Sequence, residues 1–184
     1  PSGESGRVLW RVDRHQTGAY LYILSSEPPD LTHLVEQAGR PATQTWDTRD
    51  YTPVIDRLRV GQTYGFRLSA NPTRSTRVKD GERSQRVGHV TVDQQVHWLH
   101  SRADRLGMHL GREDEPSFRV VERGVRTFSR NGSRVTLAVA VFEGILEVSD
   151  PEALRSAITS GVGPAKAYGC GLLTLAPAPQ RQSP

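Results

Sequence analysis

Asn131 and Gly132 separate two long strand-like runs, Phe118 to Arg130 and Arg134 to Val148. Asn-Gly suits a two-residue type I′ turn, where both central residues need φ > 0, a region closed to most side chains. The dipeptide therefore predicts a long antiparallel hairpin. A helix is expected before it: Val92, Val96, Leu99, Ala103 and Leu106 share one face of Thr91 to Leu106, with Thr91 and Gln94 spaced as a capping box and Gly107 as the stop. A second helix follows it, with Asp150 at the N-cap, Pro151 at the first helical position and Leu154, Ala157 and Ile158 as the inner stripe. Leu172 to Ala176 supplies the last strand. From about Gly88 the order is thus strand, helix, two strands, helix, strand: an α+β arrangement of the split βαβ, ferredoxin-like kind.

The first half carries the tail of the same order. Val8 to Asp13 and Ala19 to Leu24 read as a hairpin broken by residues 14–18. Pro28, Pro29 and Asp30 start a short helix ending near Gly39, a second covers Pro53 to Leu58, and Thr63 to Ala70 is a strand closed by Asn71-Pro72. The expected organisation is tandem ferredoxin-like domains: 1–76, lacking an initial strand and helix, then 77–178 and a tail, 179–184. Thr73 to Gly88 is polar and basic, suiting a linker or a loop that orders on a ligand.

Ser160 to Pro177 reads SGVGPAKAYGCGLLTLAP, with four glycines, Lys166 and Tyr168. Dense glycine lets a backbone lie against a ligand and turn N–H groups toward phosphate oxygens. No Lys-Ser/Thr follows the glycines and the run leads into a strand, so it is neither a Walker loop nor a dinucleotide fingerprint. A helix C-cap at Gly161 plus a tight turn is the plainer alternative.

The charge is +4 at pH 7, and 22 of the 24 basic residues are arginine, which grips phosphate in a bidentate fashion and stacks on bases. A biased genome would enrich arginine too. The lone Cys170 excludes an internal disulfide framework, and no apolar run approaches the roughly 20 residues of a membrane span. A reducing, cytoplasmic setting is expected.

Helix, G-x-G-x-A-K-x-Y-G-x-G, then L-L-x-L-A-P resembles the C-terminal signature of the repeat-associated RNA-binding superfamily. AKAYGCGLLTLAP is similar in particular to the CRISPR repeat-processing endoribonucleases of the CasE family from the type I-E Cascade complex. The resemblance spans essentially the whole chain and implies a tandem ferredoxin-like fold, with roughly one strand and one helix preceding Pro1. It implies binding of the CRISPR repeat stem-loop and metal-independent cleavage at the 3′ base of the stem through the 2′-hydroxyl, with no cofactor. As partners it implies other Cascade subunits, the protein being a monomer outside that complex.

On this resemblance, RNA backbone contacts map onto Gly161, Gly163, Lys166, Tyr168, Gly169 and Gly171. A basic hairpin gripping the stem maps onto Arg126, Arg130, Asn131 and Arg134, since a slim basic hairpin suits the accessible end of an A-form groove. A solvated edge hairpin is the alternative. Arg74, Arg77, Lys79, Arg83 and Arg86 form a third basic segment, a flexible linker being the alternative. FRLSANPTR, with Arg67, Asn71, Pro72 and Thr73, resembles a structural segment of the family. Phe118, Phe128 and Phe142 are expected to be buried, which favours duplex or backbone recognition over base stacking.

The family's catalytic histidine and tyrosine lie on the first helix of its first domain, and none of His15, His33, His89, His97, His100 or His109 matches that motif. No catalytic residue is assigned. His97 and His100 lie a turn apart but lack the partners of a zinc site. Two other readings remain: a structured-RNA-binding module without nuclease activity, and a ferredoxin-like protein taking a small acidic ligand at the glycine loop.

Overall fold

The computed structural model describes residues 7–38, 46–76 and 85–178. Its centre is one antiparallel sheet. Strand β8 (Ser133–Val148) pairs on one edge with β7 (Phe118–Arg130) and the short β6 (Met108–His109), and on the other with β3 (Thr63–Ala70), which pairs in turn with β9 (Leu173–Pro177). Helix α3 (Val92–His100) lies between β3 and β7 in sequence, and α4 (Pro151–Ser160) between β8 and β9. The β7–β8 connection is the expected two-residue turn: Arg130 faces Ser133, with φ of 48° at Asn131 and 76° at Gly132.

Thr63–Ala70, expected to close the N-terminal unit, instead sits between β8 and β9, with Leu68 opposite both Phe142 and Leu173. The strand expected to open the second unit near Gly88, β5 (Gln85–Gly88), pairs with β4 (Thr73–Thr76) in a separate ribbon. A division at residue 76 therefore falls inside one set of paired elements. The physical reason is side-chain alternation: Phe66, Leu68 and Ala70 are buried beside Ala140, Phe142 and Leu173, a ladder no local ribbon could cover.

One face of this sheet carries the helices. Trp98 and Leu99 of α3 and Leu154, Ala157 and Ile158 of α4 join the core, and the Trp98 indole lies nearly parallel to the Phe142 ring at 6.3 Å. Asp150 caps α4 by accepting from the backbone N–H groups of Glu152 and Ala153. The helix expected over Thr91 to Leu106 is interrupted: α3 ends at His100 and a 3-10 turn covers Asp104–Leu106. Ser101 Oγ and the Arg102 guanidinium donate to the Trp98 carbonyl, which a continuous helix would offer to the Arg102 N–H. Thr91 does cap α3 through the Gln94 N–H.

The opposite face is met by β1 (Leu9–His15), paired with β2 (Gly18–Leu24) around Gln16 and Thr17, a tighter turn than residues 14–18. Arg11, 3% exposed, pairs with the equally buried Asp13 and donates to the carbonyls of Arg67 and Leu172. Arg67 Nε lies 3.2 Å from Asp13, and its guanidinium also meets Glu143. A buried ion pair of this kind adds little net stability, but removing one partner would leave an uncompensated buried charge. The expected short helices are α1 (Thr32–Ala38) and α2 (Thr52–Asp56). No helix among the described residues is long and apolar enough to cross a membrane.

Candidate nucleic-acid interface

The long hairpin and the glycine loop, remote in sequence, touch. Alternation along β7 and β8 puts Arg126, Phe128 and Arg130 on one face with Val135 and Leu137. An extra residue at Val121 sets this phase, because the register slips between Val120 and Glu122. Phe128 packs against Tyr168 with ring centroids 4.9 Å apart, and Leu137, Val139 and Cys170 form a small core beneath them. Arg130 then donates to the Tyr168 hydroxyl at 2.7 Å, its guanidinium 5.7 Å from the ring centroid. Arg134 stands opposite Ser129 and so points to the other face. The three arginines expected to act together are split two and one.

The loop between α4 and β9 presents less backbone than its glycines suggest. Gly161 caps α4 and its N–H returns to the Ala157 carbonyl, while the Gly171 N–H donates to the Ser69 carbonyl. Both donors are therefore consumed by the fold, and Gly169 and Gly171 are buried; Gly163 alone of the four is exposed. Two glycines answer to tryptophans. At Gly169, φ is 78° and a Cβ would lie 2.7 Å from the Trp10 ring; at Gly163, φ is 76° and a Cβ would lie 3.1 Å from the Trp98 ring. Lys166 is half-buried, and its Nζ donates to the Ser160 carbonyl at the end of α4.

Beside the loop opens a cleft of about 800 Å³ between the segment entering β1, the end of α3 and residues 163–168. Arg7, Arg102, Arg105 and Lys166 line it, with Thr73 and Tyr168, and no lining residue is acidic. Arg102 lies over the Trp98 ring at 4.6 Å. Burial first, then the neighbouring Arg105, pulls the Arg102 pKa below its ordinary value; burial first, then Arg7, does the same to Lys166. Among the described residues that line the cleft, these cations have no carboxylate beside them.

Arg7, Arg102 and Arg105 were not legible as site residues, since each stands in a segment whose sequence signals only secondary structure. Of the third basic segment, Arg74 is exposed on β4 and contributes, after burial, to lowering the His89 pKa; Arg77, Lys79 and Arg83 lie outside the described residues. Phe118 and Phe142 are buried as expected, and Phe128 is half-buried against Tyr168. His97 meets Glu113 and His100 meets the Gly111 carbonyl. Among the described residues, no three His, Cys, Asp or Glu side chains are grouped to hold a metal ion. Asn71 is buried within the FRLSANPTR segment, consistent with its structural reading.

These features belong to a known class of protein. The model of a family described as CRISPR associated protein matches residues 1–177. The CRISPR-associated endoribonuclease Cse3 of Thermus thermophilus is 30% identical over 180 residues, covering 93% of this chain and 80% of that protein. The CRISPR system Cascade subunit CasE of Escherichia coli K12 is 31% identical over 184 residues, covering 92% and 88%. A solved structure of Thermus thermophilus Cse3, bound to an RNA representing a pre-cleavage complex, superposes with a TM-score of 0.76 at 32% identity, covering 93% of this chain and 78% of that one. The chain belongs to the CRISPR-associated Cse3/CasE family.

Proposed function

We propose that this chain binds the stem-loop of a CRISPR repeat transcript and takes part in cutting the precursor at the 3′ base of the stem, remaining attached as a Cascade subunit. The observation that carries this reading is the contact between Arg130 and Tyr168. It joins the hairpin tip to the glycine loop, so that Arg126, Arg130 and the loop present one basic surface beside the cleft cations. Such a surface reads the backbone and shape of structured RNA: phosphates take up the charge, and the hairpin tip enters the groove near a helix end. Family membership supports the same activity, the Thermus thermophilus relative being named an endoribonuclease and the Escherichia coli one a Cascade subunit.

Within this reading the central sheet is one ferredoxin-like unit, running β3, α3, β7, β8, α4, β9, and the β1–β2 hairpin belongs to a second. The domain boundary then falls before Thr63 rather than after Thr76. Gly163, Lys166, Tyr168, Arg126 and Arg130 are the principal RNA contacts, with Asn131 and Arg134 meeting the RNA from the hairpin's end and Arg74 from the ribbon. Gly161, Gly169 and Gly171 shape the loop.

The test is incubation with the genomic repeat RNA in EDTA, read on native and denaturing gels. Preferential binding of the stem-loop with cleavage at its 3′ base is the expected result. Binding without cleavage would reduce the chain to a binding module, and equal affinity for an unstructured RNA of the same length would overturn the reading.

A further inference from the structure

Lysine is rare in this chain, and one of its two copies stands where an amine can react. Among the described residues Lys166 is the only lysine, since 22 of the 24 basic residues are arginine and Lys79 lies outside them. Arginine stays protonated in proteins, so it holds an anion without acting as a nucleophile, whereas a lysine amine can do both. We propose that Lys166 is an acylation site, modified by small acyl phosphates whose phosphate group is held by Arg102 and Arg105. The modification itself is independent of the reading of the chain as an RNA binder; its effect on RNA affinity rests on that reading.

Lys166 enters the cleft from the glycine loop, and Arg102 and Arg105 enter it from the chain that follows α3. Arg102 is fixed in advance: its guanidinium lies over the Trp98 ring at 4.6 Å, and its hydrogen bonds to the Trp98 carbonyl at 2.8 Å and to Ser101 Oγ at 3.3 Å both leave from Nη1. Nη2 and Nε remain to meet phosphate oxygens, and little side-chain freedom is lost when they do. Arg105 is exposed and adds the second charge. Lys166 Nζ donates to the Ser160 carbonyl at 2.6 Å. A carbonyl only accepts, so this contact anchors the nitrogen without engaging the lone pair it gains on losing a proton. Burial first, then Arg7, lowers the Lys166 pKa, which raises the fraction of the amine present as nucleophile.

In the transfer, Nζ attacks the carbonyl carbon of the acyl phosphate. The N–C bond forms while the bond from that carbon to the bridging oxygen breaks. Phosphate leaves with the electron pair, and the nitrogen gives up its proton to water or to the departing phosphate. Arg102 and Arg105 bring the reagent to the amine and offset the charge that collects on the leaving group. The product is an amide, so the cleft loses one cation while Arg126 and Arg130 on the hairpin are untouched. Acylation therefore weakens the attraction for RNA phosphates in step with the supply of acyl phosphate.

The experiment treats the full chain at mildly alkaline pH with acetyl phosphate and, separately, with the N-hydroxysuccinimide ester of acetic acid, which delivers the same acyl group without a phosphate. Mass spectrometry of the digested protein measures acetylation of Lys166 relative to Lys79, and comparing the two reagents removes any difference in plain exposure. Acetyl phosphate is expected to favour Lys166 about tenfold more than the ester does, the order of one charge-assisted hydrogen bond. Arg102→Gln/Arg105→Gln abolishes that preference, and inorganic phosphate competes it away in wild type. Arg105→Gln alone reduces it, and because Arg105 is exposed this variant and the phosphate competition keep the test valid should the double variant unfold. Equal ratios for the two reagents, or a preference indifferent to both Arg105→Gln and inorganic phosphate, overturn the inference. Acetylated wild type is then expected to bind the repeat stem-loop with a log–log salt slope lower by about 0.9, one duplex phosphate, whereas Lys166→Arg given the same treatment keeps its slope. If Lys166 is acetylated selectively and stem-loop affinity does not move, the acylation site stands and Lys166 drops out of the RNA contacts proposed above.

Discussion

Arg130 and Tyr168 lie 38 residues apart in sequence and are joined by a 2.7 Å hydrogen bond from guanidinium to phenol oxygen. The bond closes over Phe128, which is packed against the same tyrosine ring. The hairpin tip thus takes its direction from the loop as well as from its own strands, and preorganisation of this kind lowers the ordering cost of binding.

A double-mutant cycle on repeat RNA affinity checks this. Tyr168→Phe keeps the ring packing and removes the acceptor, and Arg130→Ala removes the donor. Each is expected to weaken binding by about 1 kcal/mol, roughly fivefold in Kd, and the two together by less than their sum because they break one shared contact. Arg134→Ala, on the other face of the hairpin, combines with Tyr168→Phe additively to within about 0.5 kcal/mol. Strong coupling between Arg134 and Tyr168, or none between Arg130 and Tyr168, counts against the tie.

Lys166 holds the Ser160 carbonyl and faces the cleft, so it has both a structural and an electrostatic part. Lys166→Met is expected to lower the salt slope of stem-loop binding by about 0.9, the release associated with one duplex phosphate. Thermal unfolding should change little, since carbonyls at a helix end are readily satisfied by water. A slope equal to wild type would confine Lys166 to capping α4.

Gly169 carries a different kind of constraint. A methyl group there meets the Trp10 ring at 2.7 Å and sits on a backbone with φ of 78°. Gly169→Ala is expected to cost about 1–3 kcal/mol, combining left-handed strain with overpacking. Circular dichroism melts measure the cost. Gly132→Ala, with the same sign of φ but nothing within 4 Å of its Cβ, should cost less, and equal losses would show that Trp10 contributes nothing.

Much of this architecture could be read locally. Asn131-Gly132 announced its hairpin and Asp150-Pro151 its helix because turn and cap chemistry is written in adjacent residues. The partner of Thr63–Ala70 could not be read this way. Its pairing with Phe142 and Leu173 depends on contacts far along the chain, and any alternating apolar strand would fit the same pattern. The residues proposed to contact RNA and those that line the cleft divide along the same line. Arg130 and Lys166 stand in recognisable motifs, whereas Arg102 reaches the cleft only because side-chain donors at Ser101 and Arg102 capture the Trp98 carbonyl and end α3 early. The split of Arg130 from Arg134 follows from the two-residue turn, which sets Arg130 opposite Ser133, whereas the bulge at Val121, which the alternation of residues does not mark, decides which face of the hairpin Arg130 shares with the rest of β7.

Cys170 sits in the small core under the Arg130–Tyr168 contact. Burial pushes its thiol from an ordinary value of 9.0 up to about 11, with Arg126 and Ser69 acting weakly the other way. The folded state therefore keeps its proton while the unfolded state loses it. This contribution to stability is complete below about pH 9 and is lost as pH rises toward 11, with a slope of up to about 1.4 kcal/mol per pH unit. Tyr51, whose hydroxyl is also raised by burial, acts in the same direction, so the informative quantity is the difference between wild type and Cys170→Ala. Urea denaturation from pH 8 to 11 should show wild type losing stability faster than the variant. At pH 8 the native thiol should resist a disulfide-forming reagent until the protein is unfolded. Parallel pH profiles together with rapid labelling of the native protein would place Cys170 outside the core and loosen the loop from the hairpin it supports.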